Sequence, residues 1–195
     1  FDKWAGRYLL AAAEDTIDWQ KVFCRDAPMT AEVGCGHGEA LVQAAAQNPA
    51  CDYVALETYQ PGIGALMNAL AARDINNVRI ICADAAHYLP LMFAPHSLAA
   101  ARIFFPDPWP KRRHHKRRLI SDIFADTLAR ALASGGIVRI ATDDMHYAAA
   151  IDNTFAVNES FTALPSTNGD IPQTRFAARA AEQKRNVKLL TYKRI

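Results

Sequence analysis

The sequence predicts an α/β fold, a Rossmann-like doubly wound sheet, mostly parallel, with helices on both faces. Three observations predict it. From Pro28 onwards short runs of strand-forming residues alternate with stretches of helical period, which implies parallel strands joined by crossovers. The first strand–helix junction is a glycine turn, Gly34-Cys35-Gly36-His37-Gly38. Four strands run into an acid, at Glu57, Asp84, Asp107 and Asp143, and ligands bind at that edge of such sheets.

The elements follow in order. Residues 1–28 are expected to cover the core, with Trp4, Tyr8, Leu9 and Leu10 on a short helix and Ile17, Trp19, Val22 and Phe23 packing where the domain begins. Met29 to Val33 is a short apolar strand. The helix from Glu39 to Gln47 stops before Pro49. The second strand is Tyr53 to Leu56, and the second helix runs from Pro61, a good first-turn residue, to Arg73. Val78 to Cys82 is the third strand and Ala85 to Phe93 a short third helix. Ala99 to Phe105 is an apolar, buried fourth strand. A fourth helix is expected from Arg117 to Leu132, with Leu119, Ile120, Ile123, Phe124 and Leu128 on one buried face and Gly135-Gly136 ending it. Ile137 to Ala141 is the fifth strand and Met145 to Phe155 the fifth helix. Phe161 to Leu164 and Val187 to Tyr192 suit a closing strand pair around a polar loop with Pro165, Gly169 and Pro172. The whole, residues 1–195, is expected to be one domain. Because the first residue is Phe1, upstream residues are allowed for.

Charge narrows the function. The net charge is +2, yet Lys111 to Arg118 alone carries +6, which leaves −4 on the rest. A focused positive run favours a local polyanion site over general solubilisation. Cys24, Cys35, Cys51 and Cys82 form no C-x-x-C pair, so neither a zinc site nor a disulfide framework is expected. Free thiols fit a cytoplasmic location. No apolar run has the length of a membrane span.

The glycine turn asks for a nucleotide-type cofactor. Glycines there permit the tight turn and close approach of a ligand to the backbone. Glu57 stands 21 residues after Gly36, the range for an acid that accepts from ribose hydroxyls. The spacing G-x-G-x-G departs from the dinucleotide pattern G-x-G-x-x-G. Glu32, two residues before Gly34, would repel a pyrophosphate and attract the sulfonium and ammonium of S-adenosyl-L-methionine. Asp84 suits the adenine amino group. S-adenosyl-L-methionine is therefore the expected cofactor, NAD the rival.

Asp107 lies between Pro106 and Pro108, each of which fixes its own φ and restricts the residue before it, so its backbone is held extended at a strand end. Behind it come Lys111, Arg112, Arg113, His114, His115, Lys116, Arg117 and Arg118. A stiff acid beside a polycationic run suggests chemistry on nucleic acid, with Arg112, Arg113, Lys116, Arg117 and Arg118 on phosphates. A proline-rich loop followed by a solvated helix start is the simpler alternative.

These residues resemble the bacterial tRNA (guanine-N7-)-methyltransferases, class I S-adenosylmethionine-dependent enzymes. The resemblance runs from about residue 20 to 176. It rests on Arg25-Asp26-Ala27-Pro28, Glu32-Val33-Gly34-Cys35-Gly36-His37-Gly38-Glu39, Pro61-Gly62-Ile63-Gly64-Ala65, Asn77-Val78-Arg79, Gly135-Gly136 and Ala141-Thr142-Asp143. Above all it rests on Phe104-Phe105-Pro106-Asp107-Pro108-Trp109 with the basic run behind it. The resemblance implies a seven-stranded sheet with an antiparallel last strand, and methyl transfer to N7 of a guanosine in the tRNA variable loop. It implies Glu32, Gly34, Gly36, Gly38, Glu57, Asp84 and Asp107 at the cofactor and Asp107 as the active-site residue. Lys111, Asp143, Thr174, Arg175 and Phe176 would contact substrate, with tRNA as the partner and no metal. Four departures fall on the substrate side: Ala177 where the family has Glu, Asp144 where Trp is common, Pro110 where His is common, and Ala180 to Asn186 in place of a Gly-His stretch. A class I methyltransferase with another target, or an RNA-binding paralogue without chemistry, stays open at this point.

Overall fold

The centre of the sheet is β2 (Met29–Val33), all of whose residues are buried. The computed structural model describes residues 2–166, 171 and 173–195. Before β2 come α1 (Asp2–Tyr8), β1 (Leu9–Leu10) and α2 (Trp19–Phe23). After it follow α3 (Glu39–Gln47), β3 (Asp52–Glu57), α4 (Gln60–Ala72), β4 (Val78–Cys82), α5 (Ala85–Met92) and β5 (Leu98–Phe104). A 3₁₀ helix (Arg112–Arg117) leads to α6 (Asp122–Ala131), β6 (Leu132–Thr142), α7 (Met145–Ala156), β7 (Phe161–Leu164), α8 (Arg175–Glu182) and β8 (Lys188–Arg194).

The sheet order is β1-β4-β3-β2-β5-β6-β8-β7. Strands β1 to β6 pair in parallel and β8 runs antiparallel to both β6 and β7. The order reverses at β2, which puts the loops after β2 and β5 side by side at one edge, where doubly wound sheets bind ligands. Two apolar layers cover the sheet. Leu89, Phe124, Leu128, Ile151 and Phe155 of α5, α6 and α7 fill one, with Trp19 of α2. Tyr8, Leu41, Ile63, Leu66 and Leu70 of α1, α3 and α4 fill the other. Each such side chain contributes roughly 1.5–3 kcal/mol on burial.

Four expectations are corrected. Among the described residues the sheet has eight strands rather than seven. The additional one is β1, whose Leu9-Leu10 pairs with Ile80 and Ile81 instead of continuing a helix. Tyr8 anchors it, fully buried, its hydroxyl donating to the Ile75 carbonyl at 3.0 Å. Second, α6 starts at Asp122, with the Ser121 hydroxyl accepting from Phe124 N at 3.3 Å. The basic run before it makes its own 3₁₀ helix, with His114 N donating to the Lys111 carbonyl at 2.7 Å. With the start moved, Ile123 leaves the buried face and is 80% exposed. Third, Gly135 and Gly136 lie inside β6, beside its irregular pairing with β5 at Leu98 and Ala100, and do not end a helix. Fourth, α8 fills part of the stretch expected as loop. Its apolar side, Phe176, Ala177, Ala180 and Ala181, is mostly alanine, and Ala180 is its buried residue, so the side is amphipathic in spacing but small. Of the loop's expected markers, Gly169 and Pro172 lie outside the described residues.

Among the described residues no helix is long and apolar enough to cross a membrane. None of them form a group of three or more His, Cys, Asp or Glu able to hold a metal ion.

Candidate active site

The carboxyl ends of β2, β3, β4 and β5 open into a cleft of 760 Å³. Gly34, Gly36, Glu57, Tyr59 and Asp84 line one side, and Phe105, Asp107, Trp109, Lys116, Arg117 and Arg118 the other, with Ile123 and Phe176 also in its wall. The glycine turn, the proline-held acid and part of the basic run, separate in the sequence, therefore share one space.

Gly34, Gly36 and Gly38 have φ values of 71°, 56° and 77°, left-handed conformations that favour glycine. A Cβ on Gly34 or Gly36 would meet no atom within 4 Å, so the backbone there stands open to a ligand. From behind, the turn is closely backed: a Cβ on Gly62 of α4 would lie 2.5 Å from the Gly36 carbonyl oxygen. Gly38 faces away from the cleft, against Leu66. Glu57 braces the turn, accepting from Gly36 N at 2.7 Å, Thr58 N at 2.7 Å and Tyr59 N at 2.8 Å. Asp84, exposed, caps α5 by accepting from Ala86 N at 2.9 Å.

Glu32 is placed differently. It is 2% exposed and does not line the cleft; it lies beneath the turn, 3.1 Å from Arg102 Nε. Burial pushes its carboxyl up to about 7, with Arg102 opposing and Glu39 adding to the rise. Arg102 also donates to the Ala40 carbonyl at 3.2 Å, joining β5 to the start of α3. The sequence reading missed Arg102, although a lone cation in the apolar run Ala99 to Phe105 signals a buried counter-charge. The half-buried Cys35 thiol senses this surrounding: burial first, then the charges of Glu32, Glu57 and Glu39, push it well up. With Glu32 offset by Arg102, the carboxylates presented at the cleft itself are Glu57 and Asp84, which suit a cation better than a pyrophosphate.

On the opposite side, Phe105 and Trp109 adopt φ of 54° and 43°, uncommon and strained for bulky residues. Phe105 N donates to the Ala141 carbonyl at 2.7 Å, and Arg118 Nε donates to the Pro108 carbonyl at 2.8 Å. Trp109 is packed between the Arg117 guanidinium at 4.9 Å and the His114 ring at 5.8 Å. Asp107 itself is exposed to the cleft. Lys111, Arg112 and Arg113 are exposed outside the cleft and Lys116 is exposed at it.

The remaining predicted residues cluster around α8. Thr174 caps it, its hydroxyl accepting from Ala177 N at 3.1 Å. Arg175 Nε donates to Glu39 Oε1 at 2.7 Å, and the Phe176 ring stacks on Phe105 at 5.9 Å. The helix so touches both sides of the cleft. Asp143 is not in the cleft wall; it pairs with Arg185, just beyond α8.

The family described as "Putative methyltransferase" matches residues 26–191. The tRNA (guanine-N7-)-methyltransferase of Thiobacillus denitrificans is 40% identical over 198 residues, covering 96% of this chain and 85% of that protein. The chain belongs to the tRNA (guanine-N7-)-methyltransferase family. Another member, from Nitrosococcus oceani, is 38% identical, with 96% of this chain and 80% of that protein covered. For the Corynebacterium jeikeium member the identity is 43%, over 83% of this chain and 64% of that protein. In fold, the chain is similar to the 16S rRNA methyltransferase KamB, with a TM-score of 0.69 at 14% identity over 92% of this chain and 94% of that one. In this chain β8 runs antiparallel, as the resemblance implied of the last strand.

Proposed function

We propose that this chain, as a single domain with residues 1–28 as cover, transfers the methyl group of S-adenosyl-L-methionine to N7 of a guanosine in the variable loop of tRNA, in the cytoplasm. The observation that carries this is the shared cleft, in which the open glycine turn, Asp107 and the cationic Lys116 to Arg118 face one another.

The residues suit the cofactor. Gly34 and Gly36 leave their side-chain directions empty, and the carboxylates of Glu57 and the exposed Asp84 line the cleft. S-adenosyl-L-methionine held there supplies an electrophilic methyl group. Glu57 has three backbone donors already, so it braces the turn while keeping acceptor capacity for a ribose hydroxyl. Glu32, paired beneath the turn, acts on the cofactor through field and support rather than contact.

Guanine N7 has a lone pair and no proton, so methylation at that atom needs no general base. What the chain must supply is alignment and stabilisation of the positive charge that develops on the ring. Asp107 is placed for both, accepting from the guanine N1–H and amino group while its charge faces the ring. Lys111, Arg112, Arg113 and Lys116 hold phosphates, and Thr174, Arg175, Phe176 and Asp143 border the substrate side.

The test is methyl transfer from labelled S-adenosyl-L-methionine to unmodified bulk tRNA, with nucleoside analysis and mapping of the product. The expected product is 7-methylguanosine in the variable loop. Label on another nucleoside would overturn the substrate assignment, and absence of transfer would overturn the reaction.

A further inference from the structure

We propose that Arg118 is a positioning residue that holds the Asp107 loop in shape, not one of the phosphate contacts that its place in the basic run suggests. The proposal rests on Asp107 being the guanine-aligning carboxylate of the function proposed above.

The need for such a residue follows from the loop itself. Neither Pro106 nor Pro108 has an N–H, so the segment can be tied to the protein only through its carbonyls and few remaining amides. It is also strained, with Phe105 and Trp109 at positive φ on either side of Asp107. Strain of that kind persists only where neighbours over-determine the geometry. Phe105 is fixed on the near side by the Ala141 carbonyl. On the far side the described side-chain bond is Arg118 Nε to the Pro108 carbonyl, 2.8 Å, one residue past Asp107.

Arg118 is in turn fixed from α7. Its guanidinium lies 4.6 Å from the centre of the Tyr147 ring, and Tyr147 is fully buried, its hydroxyl accepting from Ile120 N at 3.0 Å. Its other arm lies 3.2 Å from His146 Nδ1. A guanidinium has only donors, so that nitrogen must be the acceptor, which requires a neutral imidazole with its proton on Nε2. The His115 ring packs against His146 at 5.1 Å and completes the support. A residue engaged with Pro108, Tyr147 and His146 has little left for a phosphate. Its neighbours Arg112, Arg113 and Lys116 are exposed and form no ion pair among the described residues. The basic run thus divides into outward cations and one inward strut.

Four variants test this: Arg118→Gln, Arg118→Lys, His146→Leu and His146→Gln, beside a triple Arg112→Gln, Arg113→Gln, Lys116→Gln. Two readouts are decisive. The first is amide hydrogen exchange of residues 104–110, which needs no turnover. Arg118→Gln and His146→Leu should accelerate it, the triple variant should not, and His146→Gln, which keeps an acceptor, should lie near wild type. The second is the split between rate and binding. Arg118→Gln should lower the single-turnover rate at saturating tRNA by about 10²-fold, the scale of a misplaced reacting group. Its salt dependence of tRNA binding should match wild type, whereas the triple variant should flatten that slope by roughly 0.7–0.9 per lost phosphate contact. Unchanged loop exchange in Arg118→Gln and His146→Leu, or a flattened salt slope in Arg118→Gln with the saturating rate intact, would overturn the proposal. If Arg118→Gln does not fold, Arg118→Lys and His146→Leu carry the same comparison. Failure of the underlying reading is separable: there Asp107→Asn keeps its rate, while the loop-exchange result still stands or falls alone.

Discussion

The two loops that face each other across the cleft solve one problem, a sharp exit from a strand, by opposite means. The turn after β2 uses glycine at each of its three positive-φ positions, so its shape is intrinsic to the local sequence. The loop after β5 puts Phe105 and Trp109 in the same region of backbone space and depends on others to keep it there: a carbonyl of β6, Arg118, and the stack with Phe176. A turn that makes itself tolerates what happens around it. A turn that is held is only as accurate as its holders, and it gains from them the stiffness that a positioning carboxylate needs.

That contrast can be sharpened or broken by substitution. The largest effect is expected from Asp107→Asn, which keeps the shape of the held loop and removes its charge. The rate should fall about 10²–10³-fold, as for loss of one stabilising electrostatic contact, with tRNA affinity near wild type. Equal losses in rate and affinity would make the loop a binding element and erase the contrast. Next comes the support beneath the glycine turn. Glu32 sits at about 7 in the folded chain against 4.5 for an ordinary glutamate, so between those values the folded chain binds more protons than the unfolded one. Its contribution to stability is therefore fully present below 4.5 and lost as the pH rises through 7. The loss should reach roughly 3 kcal/mol in wild type and largely vanish in Glu32→Gln, measured by urea unfolding across that pH range.

How far the two loops were readable in advance follows the same line. Met29 to Val33, Glu39 to Gln47, Val78 to Cys82 and Phe161 to Leu164 have the bounds their patterns predict, because period and turn residues are local signals. The glycine turn, Glu57, Asp84 and Asp107 could be placed together because strand ends share one edge of a parallel sheet. What escaped was non-local or marked only by very short or small-residue segments. β1 is two residues long, and α8 buries Ala180 alone. Glu32 was expected to face the cofactor because its partner Arg102, 70 residues away, is brought alongside only by the pairing of β2 with β5. The holders of the second loop come from the 3₁₀ segment, α7 and α8, and spacing encodes none of those contacts.

A smaller effect is expected at the back of the glycine turn. In Gly62→Ala the new Cβ would press on the Gly36 carbonyl at 2.5 Å, and overpacking of this kind costs about 1–3 kcal/mol. Affinity for S-adenosylhomocysteine, measured by calorimetry, should drop about tenfold. Hydrogen exchange of residues 104–110 should not change; if it does, the two loops are one coupled unit. Smallest is Arg175→Ala. The pair with Glu39 is at the surface, where such contacts are worth about 0–1 kcal/mol, so thermal stability should barely move. Since α8 touches both loops, a large drop in melting temperature would show that the glycine turn is held as well.

The position of β8 has a consequence for how this chain comes into being. It lies between β6 and β7, yet it follows both of them in the chain. Until it arrives, β6 presents an open edge and β7 has no sheet to join. On the ribosome the molecule must wait with exposed backbone donors and acceptors at its flank, the kind of edge that recruits other chains. Insertion of residues 188–194 closes that edge and gives β7 its place in one step, so a chain interrupted before residue 188 is both unfinished and adhesive.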